Sequence, residues 1–409
     1  MILATRALGR VAGYAFMRIL VSLLYYRPYT SGLTIYAERL SRALAARGHQ
    51  VTVLTSQYDR SLPRDEMLDG VRVVRVPVAF RLSKGVIMPT YGLVAWKLAR
   101  EHDVLNLHLP QFEASGVALR GQALKRPVVL TYHTDLHLPP GLFSRFIDTA
   151  VMISNRLVAR WAHAITSYTK DFASSSPYLS RYMDKVHVIA PPIEIPIPMQ
   201  ADVEAFRARW DLGGRRVIGM AARLAAEKGV EHLLDALPRI QAEFPNAHIL
   251  YAGQHQGVLG EESYARKLAP LFDRWREHVT FLGILDPYQM SLFYSNLDVV
   301  VVPSTNSTET FGMVQVEAMM CGTPSIASDL PGVRQPVRMT GMGEVAPVGD
   351  SAALAETIAR VLRDRGRYVR PRADIEALFG TERTAEHYEG LFRDLLAQQH
   401  RRPVYAPQD

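Results

Sequence analysis

The chain has 409 residues, 48% hydrophobic and 21% charged, with a formal net charge of +7. That is enough for two domains with cores of their own, and the composition is ordinary for a globular protein. The single cysteine, Cys321, excludes an internal disulfide and a cysteine-held metal cluster and suits a reducing compartment. The mild positive charge favours anionic ligands or an anionic membrane surface. It would also fit nucleic acid, but no nucleic-acid module is recognisable. No apolar run reaches the ~20 residues a membrane span needs.

Residues 1–16 read as detached from the fold, because Arg18 to Leu24 makes a natural first strand and Met17 stands directly before it. Met17 as the true start, or a floppy extension, is the expectation. A signal peptide fails because Arg6, Arg10 and Arg18 interrupt the apolar core; a weak amphipathic anchor is the other reading. After the first strand a small-residue turn, Thr30-Ser31-Gly32, opens a helix from Leu33 to Arg47. Gly32 there either lets the backbone approach a phosphate or simply belongs to an N-cap turn. A strand at Val51 to Thr55 completes a βαβ unit. It is not a Rossmann fingerprint, which needs two more glycines.

Strands follow at Val71 to Val76, Val104 to His108 and Val128 to Tyr132, with helical patterns between. This alternation predicts a doubly wound parallel sheet. The last of these runs into His133, Asp135 and His137. A metal site on those three has loose spacing and no fourth ligand nearby; His133 as an acid/base or sugar-contacting group fits better, and a plain polar loop is the bland alternative. Residues 141 to 163 predict a long helix with Phe143, Phe146, Ile147, Ala150, Ile153, Leu157 and Trp161 on one broad face and Arg145, Arg156 and Arg160 on the rest. A core face is expected; the other reading is a basic, apolar surface against anionic lipid, joined by Phe80 to Tyr91 with Arg81 and Lys84.

A strand at Ala164 to Ser167, a helix and a strand at Val186 to Ile189 lead into Pro191-Pro192-Ile193-Glu194-Ile195-Pro196-Ile197-Pro198. Four prolines in eight residues mark a domain boundary. The same grammar then restarts. Val217 to Ala221 is a strand, and Arg223 and Lys228 flank the loop before a helix at Val230 to Ile240. Two cations at a helix start make a pyrophosphate clamp or a solvated basic turn. Strands at His248 to Ala252 and Val279 to Leu282 end in Gly253 and Gly283. Val299 to Val302 is a strand buried on both faces. Pro303 ends it, and a polar loop leads to a helix from about Phe311, stopped by Gly322 and Pro324. The backbone N–H groups of Phe311, Gly312, Met313 and Val314 are expected to be unpaired and to suit an anion. Glu309 lies before that helix and Glu317 inside it, placed to bond hydroxyls of a ligand that also carries phosphate. Asp350 reads as the N-cap of a helix from Ser351 to Arg363. An amphipathic helix from Thr384 to Gln399, through Tyr388, Leu391, Phe392 and Leu395, is expected to pack back across the domain junction.

The expected fold is α/β: two Rossmann-like doubly wound domains facing a central cleft, with residues 1–16 an extension, 17–195 and 196–375 the two domains, and 376–409 the returning helix and tail. The cleft is the default site. Arg223, Lys228 and helix N-termini for phosphates, with Glu309 and Glu317 for hydroxyls, describe a nucleotide-sugar. No nucleophilic serine motif or Walker lysine appears.

The stretch from Glu309 to Pro324 resembles the E-x7-E signature of retaining, family-four glycosyltransferases (glycosyltransferase group 1) of the GT-B fold. Ala222 to Gly229 and Tyr29 to Gly48, with its Arg-Gly-His ending, resemble the same family. The resemblance covers most of residues 18 to 363. It implies transfer of a sugar from a UDP- or GDP-type donor to a glycan or lipid-linked hydroxyl, with retained anomeric configuration and no metal or other cofactor. It implies that Arg223 and Lys228 hold the diphosphate, Glu309 the donor sugar and Glu317 the ribose. The backbone of Gly32, Thr310, Phe311, Gly312 and Met313 approaches sugar and phosphates, Gly253 and Gly283 shape the donor pocket, and His133 sits between donor and acceptor. A cytoplasmic protein, peripheral on the inner face of the plasma membrane if it acts on lipid, follows from the same resemblance. The chain departs from the usual pattern at Ser31-Gly32, Pro191-Pro192, Pro331-Gly332 and Gln335, which bear on acceptor choice and donor geometry and remove no diphosphate ligand. A nucleotide-sugar epimerase and a non-catalytic nucleotide-sugar-binding protein are the rival readings.

Overall fold

Runs of aliphatic and β-branched residues become parallel strands, and the amphipathic stretches between them become the helices that cover both faces. The computed structural model describes residues 16–82, 85–135 and 142–401. The leading segment to residue 15, Lys84, His137 and the tail from residue 402 lie outside the described residues. The chain divides into two units. One takes in the residues up to Tyr168, Ser176–Pro192 and the chain from Thr381 onward; the other takes in Thr169–Ser175 and Ile193–Gly380. The division thus falls at 192/193, inside the proline-rich stretch, a few residues before the 195/196 boundary read from the sequence.

In chain order the first half holds β1 (Arg18–Ser22), α1 (Gly32–Ala46), β2 (Gln50–Gln57), β3 (Asp65–Leu68), β4 (Val71–Pro77), the hairpin strands β5 (Phe80–Leu82) and β6 (Gly85–Ile87), α2 (Tyr91–Glu101), β7 (Val104–Leu109), α3 (Ala114–Ala123), β8 (Val128–Tyr132), α4 (Leu142–Trp161), β9 (Ala164–Ser167), α5 (Lys170–Ser175) and β10 (Val186–Val188). Its sheet runs β10-β9-β8-β7-β1-β2-β4-β3 and is parallel except where β3 pairs antiparallel with β4. Strand order turns at β1 and β7, so the loops after these two strands diverge and open a crevice at the carboxyl edge.

The second half holds α6 (Gln200–Arg209), β11 (Arg216–Ala221), α7 (Val230–Glu243), β12 (Ala247–Ala252), α8 (Glu262–Arg274), β13 (Val279–Gly283), α9 (Pro287–Ser295), β14 (Val299–Val302), α10 (Met313–Met320), β15 (Ser325–Ser328), α11 (Gln335–Thr340), β16 (Gly343–Ala346), α12 (Ser351–Arg363), α13 (Arg372–Phe379) and α14 (Thr381–Arg401). All pairs in its sheet, β13-β12-β11-β14-β15-β16, are parallel. Val299, Val300, Val301 and Val302 are all buried, as the unbroken apolar run requires; burying each contributes about 1.5–3 kcal/mol. Asp350 caps α12, accepting from the N–H groups of Ala352 and Ala353 at 3.0 and 2.9 Å.

The long helix α4 corrects one expectation. Ile153 and Leu157 are exposed rather than buried, and the face turned inward carries Ser154, Asn155, Val158 and Ala159. Small side chains let the helix approach its support closely, and Ser154 Oγ donates to the Phe112 carbonyl at 2.9 Å. Lys185 Nζ closes the C-terminal end, donating to the carbonyls of Ala159 and Ala162, each at 3.0 Å. The side chains of Phe143, Arg145, Phe146, Ile147 and Ala150 lie outside the described residues.

The segment from 376 onward does not act as one piece. Helix α13 belongs to the second unit, while α14 packs on α1 of the first. Tyr388, Leu391, Phe392 and Leu395 are its buried face. The Tyr388 hydroxyl lies within 2.9 Å of the hydroxyls of Tyr36, Thr131 and Thr166. At the next residue, the buried Glu389 carboxylate accepts from Arg47 Nε and Nη2 at 2.9 and 2.7 Å, pairs with Arg393, and lies 3.3 Å from His49 Nε2. A buried carboxylate is tolerable because three cationic or donor groups face it.

Candidate functional site

In the second unit the strand order turns between β11 and β14, so the loops after these two strands flank the crevice where open α/β sheets take ligands. Those loops carry Arg223, Lys228 and Glu309. Lys228 ends a single helical turn, Ala226–Lys228, that precedes α7. Gly229 follows in the left-handed region, φ 65°, and a Cβ there would stand 2.2 Å from the Pro303 carbonyl oxygen. Only glycine lets the β11 loop press this closely on the end of β14. Thr305 N–H then donates to the Glu227 carbonyl at 2.9 Å, tying the two loops together.

The result is an ion pair 81 positions apart in sequence: Lys228 Nζ donates to Glu309 Oε2 at 2.6 Å. Both side chains are about four-fifths buried. The other oxygen, Glu309 Oε1, accepts from Gly312 N–H at 3.0 Å. This corrects the expectation of four unpaired N–H groups, because the Gly312 donor is taken by Glu309. The helix also starts later than read: α10 begins at Met313 with Gly312 as its N-cap. Met313 and Val314 form its first turn, half-buried. Thr310 and Phe311 are buried, and the Phe311 ring packs edge-on to Phe379 at 5.6 Å. Arg223 pairs with Glu227 and lies 4.0 Å from Glu261. Each expected phosphate ligand therefore already has a carboxylate partner, and an incoming anion competes for it.

Glu317 lies buried on α10, where its Oε2 accepts from the Tyr294 hydroxyl at 3.1 Å. Gly253 and Gly283 end adjacent strands, with Gly253 N–H donating to the Gly283 carbonyl at 2.7 Å. Beside them His255 stacks on Phe281 at 4.4 Å, and Ile284 is exposed.

Sequence reasoning missed a second brace on this loop. Asp171, on α5, accepts from Arg334 Nε and Nη2 at 2.8 and 2.7 Å, and from Gly332 N–H and Gln335 Nε2, each at 3.0 Å. These four donors hold its carboxyl down at about 2 despite burial. Gly332 is pressed so closely on the loop after β14 that a Cβ would stand 2.1 Å from the Thr310 carbonyl oxygen. Asp171 thus holds the 329–335 turn against Thr310. The glutamine at 335, where the resembled family often has glutamate, donates to Asp171; a second carboxylate would repel it. Asp171→Ala is expected to lower kcat/KM by up to about a hundredfold, the scale of a ~1 Å misplacement of a site loop. Initial rates across substrate concentrations check this, and an unchanged kcat/KM refutes the bracing role.

In the first unit, Gly32 is the first residue of α1, and Ser31 caps the helix by accepting from Thr34 N–H at 3.2 Å. His133 follows β8 and is 5% exposed. Its Nε2 lies 2.8 Å from His108 Nδ1, and its Nδ1 bonds the Tyr168 hydroxyl. The ring stacks on His108 at 5.0 Å and meets Tyr36 edge-on at 4.9 Å. Burial, then the neighbouring His108, push its pKa well below the usual histidine value, so the ring is neutral. Both ring nitrogens are thus engaged inside the fold. Asp135 turns elsewhere, accepting from the Tyr132 and Ser176 hydroxyls at 2.8 and 2.7 Å. His133 and Asp135 therefore serve different partners, and no group of metal-ligating side chains forms among the described residues.

Two family models match the chain. Residues 31–192 match the model of the glycosyl transferase 4-like domain, and residues 202–376 that of the glycosyl transferases group 1. The phosphatidyl-myo-inositol mannosyltransferase of Mycobacterium leprae is 29% identical over 363 residues, 86% of this chain and 90% of that protein. The D-inositol 3-phosphate glycosyltransferase of Xylanimonas cellulosilytica is 28% identical over 374 residues, 85% of this chain and 87% of that protein. Among solved structures, Anabaena HepE in complex with UDP superposes with a TM-score of 0.74 at 20% identity, covering 92% of this chain and all of that one.

Proposed function

We propose, from the premise that the chain belongs to the group 1, family-four glycosyltransferases of the GT-B fold, that it moves a sugar from a nucleoside-diphosphate sugar to a hydroxyl on a lipid-linked acceptor, retaining the anomeric configuration. The observation that carries the donor half is the Lys228–Glu309 pair at the turn in strand order, with Gly312 N–H on the same carboxylate. When a sugar diphosphate enters, Lys228 and Arg223 exchange their carboxylate partners for phosphate oxygens. Glu309, released from Lys228, accepts from a sugar hydroxyl. The leaving diphosphate gathers negative charge as the glycosidic bond breaks, and the two cations and the start of α10 stabilise it there. The acceptor hydroxyl attacks from the face the diphosphate leaves, and its proton passes to the departing phosphate oxygen. Glu317 takes the ribose. His133, held neutral, contributes shape and a fixed hydrogen-bond chain rather than a free base. The reading invokes no cofactor, since the cationic role falls to side chains.

The acceptor half rests on the surface of the first unit. Three successive helices that pack on one another expose apolar side chains: Leu93 and Trp96 on α2, Leu119 on α3, and Met152, Ile153 and Leu157 on α4. Exposed Lys97, Arg156 and Arg160 lie among them. An apolar surface dotted with cations suits an anionic bilayer, and the relative in Mycobacterium leprae is named for a phosphatidyl-inositol acceptor. No helix among the described residues is long and apolar enough to cross a membrane, so the contact proposed is peripheral, at the inner face of the plasma membrane.

The test has two steps. UDP-, GDP- and ADP-sugars are screened for thermal stabilisation, and the best donor is then incubated with vesicles containing phosphatidylinositol. Nucleotide release that depends on the vesicles, with sugar recovered in the lipid, is expected. A changed nucleotide-sugar without acceptor would mean an epimerase, and binding without turnover a non-catalytic protein. Co-sedimentation with anionic vesicles is expected to fall with Ile153→Ser and Leu157→Ser together and with added salt; binding indifferent to salt and to anionic lipid would sink the membrane reading.

A further inference from the structure

Two polar residues interrupt the otherwise aliphatic strand β7. Asn106 and His108 alternate with Leu105, Leu107 and Leu109, and both are fully buried. Buried polar side chains in the centre of a sheet persist only if each finds a partner, and here the partners form one directed chain. Thr131 Oγ1 donates to Asn106 Oδ1 at 2.9 Å, so the amide end that meets His108 Nε2, at 3.2 Å, is the nitrogen. An amide N–H can only donate; His108 Nε2 therefore accepts and carries no proton. In the neutral ring the proton then sits on Nδ1, 2.8 Å from His133 Nε2, which accepts in turn. The His133 proton is left on Nδ1, facing the Tyr168 hydroxyl. His108 has no ionic partner to favour its charged form, and burial alone pushes it down to about 3, which keeps this proton count through the neutral range.

We infer that Asn106 and His108 are positioning residues that fix His133 in the single neutral tautomer with its proton on Nδ1, directed at the Tyr168 hydroxyl. The inference rests on the reading that His133 belongs to the site of transfer and says how it is held. A tyrosine oxygen that accepts from His133 keeps its own O–H as a donor, and each bond in such a chain polarises the next. The chain of donors that starts on β7 therefore continues through the Tyr168 O–H and not through a nitrogen of His133. Asn106 does for His108 what His108 does for His133: each occupies the nitrogen that must stay bare.

Ring-nitrogen NMR on the full chain labelled with 15N-histidine tests this, with His133→Gln identifying the His133 signals. The expected spectrum shows a protonated Nδ1 and a bare Nε2 on His133 between pH 6 and 8. His108→Asn places an amide N–H where the His108 Nδ1–H stood; it is expected to keep that pattern and a kcat within about threefold of the parent. His108→Leu removes the donor; the pattern is lost and kcat falls about tenfold or more, the scale set by groups that orient a functional histidine, with donor KM little changed. A His133 protonated on Nε2 in the parent chain overturns the inference, and so does His108→Asn with the kcat loss of a non-donor. The parent and His108→Asn spectra decide the matter even if His108→Leu fails to fold. Full transfer activity in His133→Gln, with the parent spectrum as expected, supports the tautomer and instead refutes the role given to His133 under Proposed function.

Discussion

Lys228→Ala is expected to lower kcat/KM for sugar transfer by two to three orders of magnitude while the chain still folds. The size follows from what the side chain does. A fixed cation beside a departing diphosphate acts on charge that appears only as the bond breaks, and losing one such group typically costs about 10²–10³ in rate. The stability effect is smaller. Lys228 and Glu309 are mostly buried, with 21% and 19% of their side chains exposed, and leaving the carboxylate without its cation costs about 1–3 kcal/mol. Glu309 also keeps its Gly312 N–H. Initial-rate kinetics beside a thermal melt separate the two effects. A variant that keeps a tenth or more of the parent kcat/KM would remove Lys228 from the diphosphate site. A collapse of the melt would mean that the pair is structural.

Acid is expected to unfold the protein in a window set by histidines rather than carboxylates. His102, His108, His133 and His248 are all buried, and burial pushes each below the ordinary histidine value of 6.5, His108 to about 3 and His248 to about 4. The unfolded chain takes up protons near 6.5 and the folded chain does not. Stability is therefore full above that value and declines as the pH falls towards the folded values, by about 1.4 kcal/mol per pH unit for each such group. At pH 5 this amounts to about 2 kcal/mol from His108 and a similar loss from His248, and His133 and His102 act in the same direction. Three of the four are in the first unit. Asp171, at about 2, loses its contribution only below the ordinary carboxylate range, so carboxylates add little between pH 7.5 and 5. Melting curves at half-unit steps should show Tm falling by several degrees or more across that interval. A flat Tm would mean that these histidines are solvated or paired with acids in the native state.

Much of the site could be read from the chain because its residues sit where strands end. Val299 to Val302 announces a buried strand and Pro303 its end, so Glu309 had to lie in a carboxyl-edge loop. Arg223 and Lys228 follow β11 by the same logic. What one sequence does not carry is which distant loops touch. Nothing local joins Asp171 to Arg334, 163 positions apart, and no spacing tells that Glu309 would occupy both Lys228 and Gly312 N–H. The helix start was misread because Phe311 continues the apolar rhythm, although the left-handed Gly312 delays the first helical turn. For α4 the period shows two faces but not which one turns inward; Ser154 and Ala159 won that side because small groups pack closer than Ile153 and Leu157. The Asn-Leu-His-Leu alternation at 106–109 was the one visible signal of the histidine network. Polar residues on one face of a strand otherwise buried on both sides ask for partners.

The seat of α14 has a consequence for how the protein is made. The first unit contains β1 and β2 and also α14, which follows every segment of the second unit in the chain. Until that helix emerges, the hydroxyls of Thr131, Thr166 and Tyr36 lack the Tyr388 hydroxyl, and Arg47 lacks Glu389. The second unit has all of its segments in hand by Gly380. On the ribosome the second unit therefore has all its segments before the first unit does, and a premature stop anywhere in α14 spares the former while leaving the latter unfinished.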